Sequence, residues 1–204
     1  MNRFVLPRAG PAALWFLSLG VAGYAAVAYT AFPLGALVVP TMRAAFEAHS
    51  AAILAHVFAA AVALALGPAQ FSVRLRQRRP ALHRWIGRTY LGVGVGVGGS
   101  AGLVMAMHAS GGPWARLGFA ALAVTWLLTG WLAYRAAKRR SFVEHRRWMV
   151  RNFALTFAAV TLRLYLPAAF VADIAFERSY PIIAWMCWVP NLVVAELLFN
   201  RGAD

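Results

Sequence analysis

Six long apolar runs constrain this chain more than any other feature of its sequence. Each run is close in length to the roughly 20-residue helix that the hydrocarbon core of a bilayer requires. The runs are continuously apolar and do not alternate at a period of two residues, so they predict helices rather than strands. They lie at Ala12–Phe32, Ala51–Val73, Thr89–Met107, Leu117–Tyr134, Phe153–Val171 and Pro181–Phe199. We therefore predict an all-α, six-helix transmembrane bundle that forms a single domain over residues 1–204.

The composition favours a polytopic membrane protein over a soluble one. Hydrophobic residues make up 62% of the chain and charged residues 13%, whereas about a quarter of the residues of a soluble domain are charged. The net charge of +14 would suggest nucleic-acid binding in a soluble protein. Here the basic residues lie between the apolar runs, where topology signals occur, so we predict the lipid bilayer as the partner and no nucleic acid.

The basic residues are distributed unequally between the two ends of the predicted helices. Sixteen of the 20 Lys and Arg residues lie at one end, which the positive-inside rule assigns to the cytoplasm. Both termini are then cytoplasmic, and the predicted location is the bacterial cytoplasmic (inner) membrane. The segment Ala26–Ala28 resembles the end of a cleavable signal peptide. The apolar run continues to Phe32, however, so we expect the first helix to be retained.

A basic, aromatic phrase occurs twice, each time at the predicted cytoplasmic start of a helix. It reads PALHRWIGRTY from Pro80 and VEHRRWMVRN from Val143. Tryptophan at headgroup depth with neighbouring arginines is typical of anchoring to anionic lipid headgroups. This interpretation does not explain His83, His145 or Gly87, so a paired cytoplasmic site remains an alternative. The residues predicted to lie at the lipid interface are Arg84, Trp85, Arg88, Arg146, Trp148 and Arg151.

Three polar residues lie within the last two predicted spans. Arg163 is about ten residues into the fifth run and Asn191 about ten into the sixth, while Glu196 is nearer the cytoplasm. Ionisable side chains at this depth are costly and need partners. We predict an intramembrane polar cluster of Arg163, Asn191 and Glu196. Two interpretations of this cluster are open. Either it clamps two helices together without a ligand, or Arg163 binds an anionic group of a ligand.

The glycine-rich string LGVGVGVGGSAG at Leu91–Gly102 predicts close helix packing. It lacks the Lys-Ser/Thr and the strand–turn–helix context of a phosphate-binding loop.

The histidines suggest a haem site. His56 and His108 lie in the outer half of the predicted bundle, and His83 and His145 lie at the inner surface. Two histidines from neighbouring helices at equal depth are typical axial ligands of haem b. A zinc or copper site from His49, His56 and His108 is a weaker alternative, because no carboxylate or cysteine completes it; we predict no metal centre of that kind.

Three motifs together resemble a known family. They are LHRWIGRTY, EHRRWMVRNFALTFAAVTLRLYLP and WMCWVPNLVVAE, and the similarity runs from about His56 to Glu196. They resemble the bacterial membrane proteins of the domain of unknown function 2306. The resemblance implies a multi-span inner-membrane protein and no particular activity. A fainter similarity, to cytochrome b561-type cores, rests on AH and GP in the second run followed by LHRWIG.

Three functions are compatible with these features. The first is a membrane redox component that binds haem b or a quinone, with His56 and His108 as outer ligands and Arg163 as the partner of a propionate or a quinone oxygen. The second is a small solute or anion transporter that uses Arg163 and Glu196. The third is a non-catalytic protein that docks lipids, a second copy of the chain or another membrane protein. No motif indicates a particular reaction.

Overall fold

The computed structural model describes residues 9–197, with side chains from Ala12 onwards, and this range is helical without strands. Arg3, Arg8, Arg201 and the last two residues of the predicted sixth run lie outside the described residues. The helices are α1 (Ala9–Ala31), α2 (Pro40–Ala48), α3 (Ser50–Gln70), α4 (Val73–Arg78), α5 (Pro80–Thr89), a π-helical segment (Tyr90–Val97), α6 (Gly98–Met107), α7 (Gly112–Lys138), α8 (Phe142–Thr156), α9 (Ala158–Val171), α10 (Phe176–Met186) and α11 (Val189–Ala195).

Five helical stretches within residues 9–197 are long and apolar enough to cross a membrane. They cover Ala12–Ala31, Ser50–Gln70, Pro80–Met107, Gly112–Lys138 and Phe142–Val171. The prediction of several apolar membrane helices is therefore confirmed for the first five runs.

The helices that contain the third and fifth runs begin earlier than predicted. They start at Pro80 and Phe142 rather than at Thr89 and Phe153. Their first turns are basic and amphipathic, so apolar length alone does not detect them. Pro80 occupies the first turn of α5, where its missing N–H costs no helical hydrogen bond. Both copies of the repeated phrase are consequently parts of the helices and not loops before them.

The sixth run is interrupted in the described part of the chain. α10 ends at Met186, and α11 begins at Val189 with Pro190 in its first turn. Proline lacks the N–H that a continuous helix needs at this point. The described residues of this run therefore form two short helices.

Close packing through the glycine string is confirmed where it faces α3. A Cβ added at Gly94 would lie 2.8 Å from the Cβ of Ala63, and one added at Gly98 would lie 3.3 Å from the Cβ of Ala59. Small residues on facing helices let their backbones approach. The first part of Leu91–Gly102 is π-helical, a departure from α-helix that the sequence did not predict.

Candidate functional site

A fully buried hydrogen-bond network joins the π-helical segment, α7 and α8. The hydroxyl of Tyr90 donates to Asn152 Oδ1 at 2.7 Å and lies 2.8 Å from the hydroxyl oxygen of Thr156. Asn152 Nδ2 donates to the Trp126 carbonyl at 2.8 Å and to Thr129 Oγ1 at 2.9 Å. The indole N–H of Trp126 donates to Thr156 at 2.9 Å. This network pairs its buried polar groups with one another and therefore acts as a structural clamp.

The sequence analysis did not identify this network. Its one sequence signal was that each copy of the repeated phrase ends in a polar residue, Tyr90 in the first and Asn152 in the second. These two residues follow His83 and His145, respectively, by seven positions. The interhelical bond thus joins matching positions of the two copies.

Within the predicted cluster of Arg163, Asn191 and Glu196, the carboxylate is paired with an arginine outside the cluster. Glu196 is paired with Arg151, whose Nε donates to Oε2 at 2.9 Å and whose Nη2 donates to Oε1 at 2.8 Å. Arg151 precedes Arg163 by twelve residues, which is about 18 Å along a helix. A bidentate carboxylate–guanidinium pair is strong and directional, so Glu196 joins α8 instead.

Asn191 also has a different partner from the predicted one. Its Nδ2 donates to Thr161 Oγ1 at 2.9 Å and to the Cys187 carbonyl at 3.0 Å. The second of these bonds satisfies a carbonyl that the break before α11 leaves without its helical donor. Asn191 therefore fastens the interrupted helix to α9.

Arg163 lies instead at a cavity between α1, α3 and α9. The cavity has a volume of about 40 Å³ and, besides Arg163 and His56, is lined by Val21, Ala25, Val57, Ala60, Ala61, Leu64 and Ala159. Nη1 of Arg163 donates to the carbonyl of Ala159 at 3.0 Å. Its guanidinium also stands over the ring of Tyr24, with 5.8 Å between Cζ and the ring centroid. The cavity therefore combines a cation with an otherwise apolar, small-residue wall.

The orientation of His56 in this cavity is fixed by α6. Its Nδ1–H donates to the carbonyl of Gly98 at 2.8 Å. A Cβ at Gly102 would lie 2.7 Å from the same nitrogen, so the absence of a side chain there makes room for the ring. Because Nδ1 carries the proton in this hydrogen bond, Nε2 is the hydrogen-bond acceptor of the neutral imidazole.

The other predicted haem ligands form two separate groups. The ring of His108 lies against that of His49, with 3.7 Å between the centroids and 38° between the planes, and it is not paired with His56 as predicted. His108 Nδ1 instead donates to the Val104 carbonyl of its own helix. His83 and His145 lie near the starts of α5 and α8. Within residues 9–197, no group of three or more His, Cys, Asp or Glu is placed to hold a metal ion.

Most of the predicted interfacial residues are exposed. Arg84, Trp85, Arg88 and Arg146 have exposed side chains, and Trp85 is 66% exposed. Their contact with lipid headgroups stays a prediction.

Trp148 and Arg151 are half-buried, and they are positioned differently from the other interfacial residues. The Arg151 guanidinium lies 4.6 Å from the centroid of the Trp148 ring. With its bonds to Glu196, Arg151 is engaged within the protein rather than directed at a headgroup. Contact of Arg151 with a lipid headgroup stays a prediction.

Comparison with known proteins identifies a family. Residues 53–199 match the family model described as Predicted membrane protein (DUF2306). No curated protein and no solved structure matches the chain. These comparisons give no support to the fainter similarity to cytochrome b561. The family match covers well over half of the chain and agrees with the motifs from His56 to Glu196, so this chain belongs to the family of predicted membrane proteins named domain of unknown function 2306.

Proposed function

We propose that this chain is a six-span protein of the bacterial cytoplasmic membrane that binds a quinone in the Arg163 cavity and serves as a membrane redox component. Both termini would be cytoplasmic, because the exposed arginines at the starts of α5 and α8 belong to the more basic end of the bundle. Those arginines and Trp85 would contact anionic headgroups at that face. The interrupted pair α10 and α11 would form the sixth crossing.

The observation that carries this proposal is that Arg163 and His56 line the same cavity at similar depth. His56 follows the start of α3 by six residues, and Arg163 precedes the end of α9 by eight. These separations are about 9 and 12 Å along the helices. A polar pair at this depth in apolar helices is costly and marks function by default.

The two side chains offer complementary hydrogen bonds. Arg163 is a donor through its guanidinium, and His56 is an acceptor at Nε2 while Nδ1–H is held by Gly98. A quinone carbonyl needs a donor and a quinol hydroxyl needs an acceptor. A quinone carries two electrons and two protons between its oxidised and reduced forms, and its ring and tail are apolar. Arg163 would orient one ring oxygen, and His56 would hold its proton.

Several features of the cavity favour a quinone over haem b. A single water needs about 10–15 Å³ of cavity volume. A cavity of about 40 Å³ therefore admits the polar edge of a ring and not a porphyrin. Both Arg163 and His56 are half-buried, which leaves the cavity reachable from the lipid phase. The ring of His108 lies against that of His49, so a porphyrin ligated by His56 and His108 would have to displace this contact.

Titration with decylubiquinone tests the proposal. We expect the wild-type protein in detergent to bind it with quenching of tryptophan fluorescence. Arg163→Gln should weaken binding by about tenfold, because one charge-assisted hydrogen bond is worth about 1.5–3 kcal/mol. Arg116→Gln, which removes an exposed arginine bonded to the Ala109 carbonyl, is the matched control and should bind normally. Equal affinity of the two variants would contradict the proposed site.

The Gly102→Ala variant tests the role of His56. The added methyl group would occupy the position of the His56 ring, with 2.9 Å to Cε1, and should displace the ring from Gly98. We expect decylubiquinone affinity to fall about fivefold or more, which corresponds to about 1 kcal/mol. Gly92→Ala is the control in the same string, since a Cβ there meets nothing within 4 Å. An unchanged affinity of Gly102→Ala for decylubiquinone would show that His56 is not part of the binding site.

A further inference from the structure

The two copies of the repeated phrase lie at the same end of the bundle and are joined by one side-chain hydrogen bond. The Tyr90–Asn152 hydrogen bond joins the residues that stand seven positions after His83 and His145. Seven residues are two helical turns, so each histidine lies on the same helix face as the bonded residue that follows it. The two histidines consequently lie toward the same end of the bundle, near the starts of α5 and α8. Their electrostatic interaction agrees with this placement.

Polar side-chain nitrogens at this end of the bundle are open to a further hydrogen-bond partner. Nδ1 of His145 donates to the Ala133 carbonyl at 2.8 Å, which orients that ring. Its Nε2 accepts in the neutral imidazole and donates once the ring is protonated. Nδ1 of His83 is buried and has no hydrogen-bond partner among the described residues. Buried polar atoms are normally paired, so such an atom points to a missing partner.

An unpaired amide nitrogen lies along the same face of α5. Gly87 follows His83 by one turn, and a Cβ added there would lie 2.9 Å from Oε1 of Gln70. The Gln70 side chain therefore packs against this face, as the absence of a side chain at Gly87 permits. Gln70 is 7% exposed, and its Nε2 also has no hydrogen-bond partner within the described chain.

The charges around His83 decide which kind of ligand suits these donors. The groups that act on His83 electrostatically are Arg76, His145 and Arg84. Two of these are cations, and the third becomes one on protonation. Such surroundings repel a metal ion and attract an oxyanion. The Gln70 amide, the Arg76 guanidinium and a protonated imidazole all donate hydrogen bonds that phosphate oxygens accept. We propose that His83, His145, Gln70 and Arg76 form a binding site for a phosphate group between α3, α4, α5 and α8.

This phosphate group has two chemical sources, a lipid headgroup or a soluble phosphate. The site differs from general attraction of a polybasic surface to anions, because it depends on particular side chains. α4 supplies a matched pair that separates the two cases. Arg76 and Arg78 are both exposed and stand two residues apart, but Arg76 interacts with His83 and Arg78 is not among the groups that do.

Calorimetric titration of the full chain in a phosphate-free maltoside detergent tests the proposal. Inorganic phosphate and a short-chain phosphatidylglycerol would be titrated separately into the wild type, Arg76→Gln, Arg78→Gln and His83→Leu. We expect at least one probe to bind the wild type. Arg76→Gln and His83→Leu should weaken that probe about tenfold, and Arg78→Gln less than twofold.

The choice of probe identifies the source of the phosphate. Binding of inorganic phosphate would assign the site to a soluble phosphate group, and binding of the phospholipid alone would assign it to a headgroup. Absence of binding by both probes would overturn the proposal. Equal losses in Arg76→Gln and Arg78→Gln would also overturn it, because general polybasic attraction would then suffice. Arg76 is exposed, so a folding defect is not expected to obscure this comparison.

Discussion

Asn152→Leu is expected to destabilise the protein by about 2–4 kcal/mol. The substitution removes the bonds from Asn152 to Tyr90, to the Trp126 carbonyl and to Thr129. Side-chain hydrogen bonds between membrane helices average about 0.6 kcal/mol and reach about 1.7 kcal/mol. The loss of three such bonds at a fully buried position is therefore large. Unfolding in detergent, followed by tryptophan fluorescence, would measure the difference.

Thr30→Val is the matched control for this prediction. The hydroxyl of Thr30 is exposed and bonds to the Ala26 carbonyl of its own helix, so its removal breaks no contact between helices. We expect a change below about 0.5 kcal/mol, as is usual for surface substitutions. If Asn152→Leu cost no more than this control, the network would not be a clamp between α7, α8 and the π-helical segment.

Gly67→Ala is expected to destabilise the protein by about 1–3 kcal/mol, the usual cost of overpacking a core. A Cβ at Gly67 would overlap Cε2 and Cδ2 of the Phe153 ring. Phe153 is 5% exposed, and its ring packs edge-on against Phe71, with 5.5 Å between centroids. The ring thus cannot swing away without disturbing its neighbours. The same unfolding measurement applies.

A second-site variant shows whether the steric cause is correct. Phe153→Leu should relieve the clash, so the double variant should be at least about 1 kcal/mol more stable than the sum of the two single effects predicts. Gly23→Ala is the control, because a Cβ there meets nothing within 4 Å. Simple additivity of Gly67→Ala and Phe153→Leu would contradict contact between these two positions.

The apolar runs predicted the helical fold because the length and apolar composition of a membrane-spanning helix can be read directly from the sequence. They did not predict the helix starts at Pro80 and Phe142, where basic amphipathic turns continue an apolar helix. They also did not predict the break at Cys187 and Trp188. A break there depends on bonds such as that from Asn191 to Thr161 Oγ1 in α9, which exist only once the helices have packed.

The candidate site was predicted in part. Depth alone indicated Arg163 and His56, because both are polar residues within apolar runs. Depth did not reveal that they share a cavity, since this depends on the rotation of α3 and α9 about their axes. Because of the same ambiguity, Glu196 was predicted to lie near Arg163, whereas the Glu196 carboxylate pairs with Arg151. Asn152 was overlooked because it ends a basic segment whose arginines and tryptophan were already explained by anchoring to lipid.

Analysis of the lipophilic molecules that co-purify with the protein tests the central claim most directly. The wild type, Arg163→Gln and Arg116→Gln would be purified in parallel, extracted with solvent and analysed for quinone by chromatography with mass detection. The proposal predicts quinone in near-stoichiometric amount with the wild type and Arg116→Gln, and its loss from Arg163→Gln. Equal quinone in all three proteins, or a wild type that carries none and also fails to bind decylubiquinone, would contradict it.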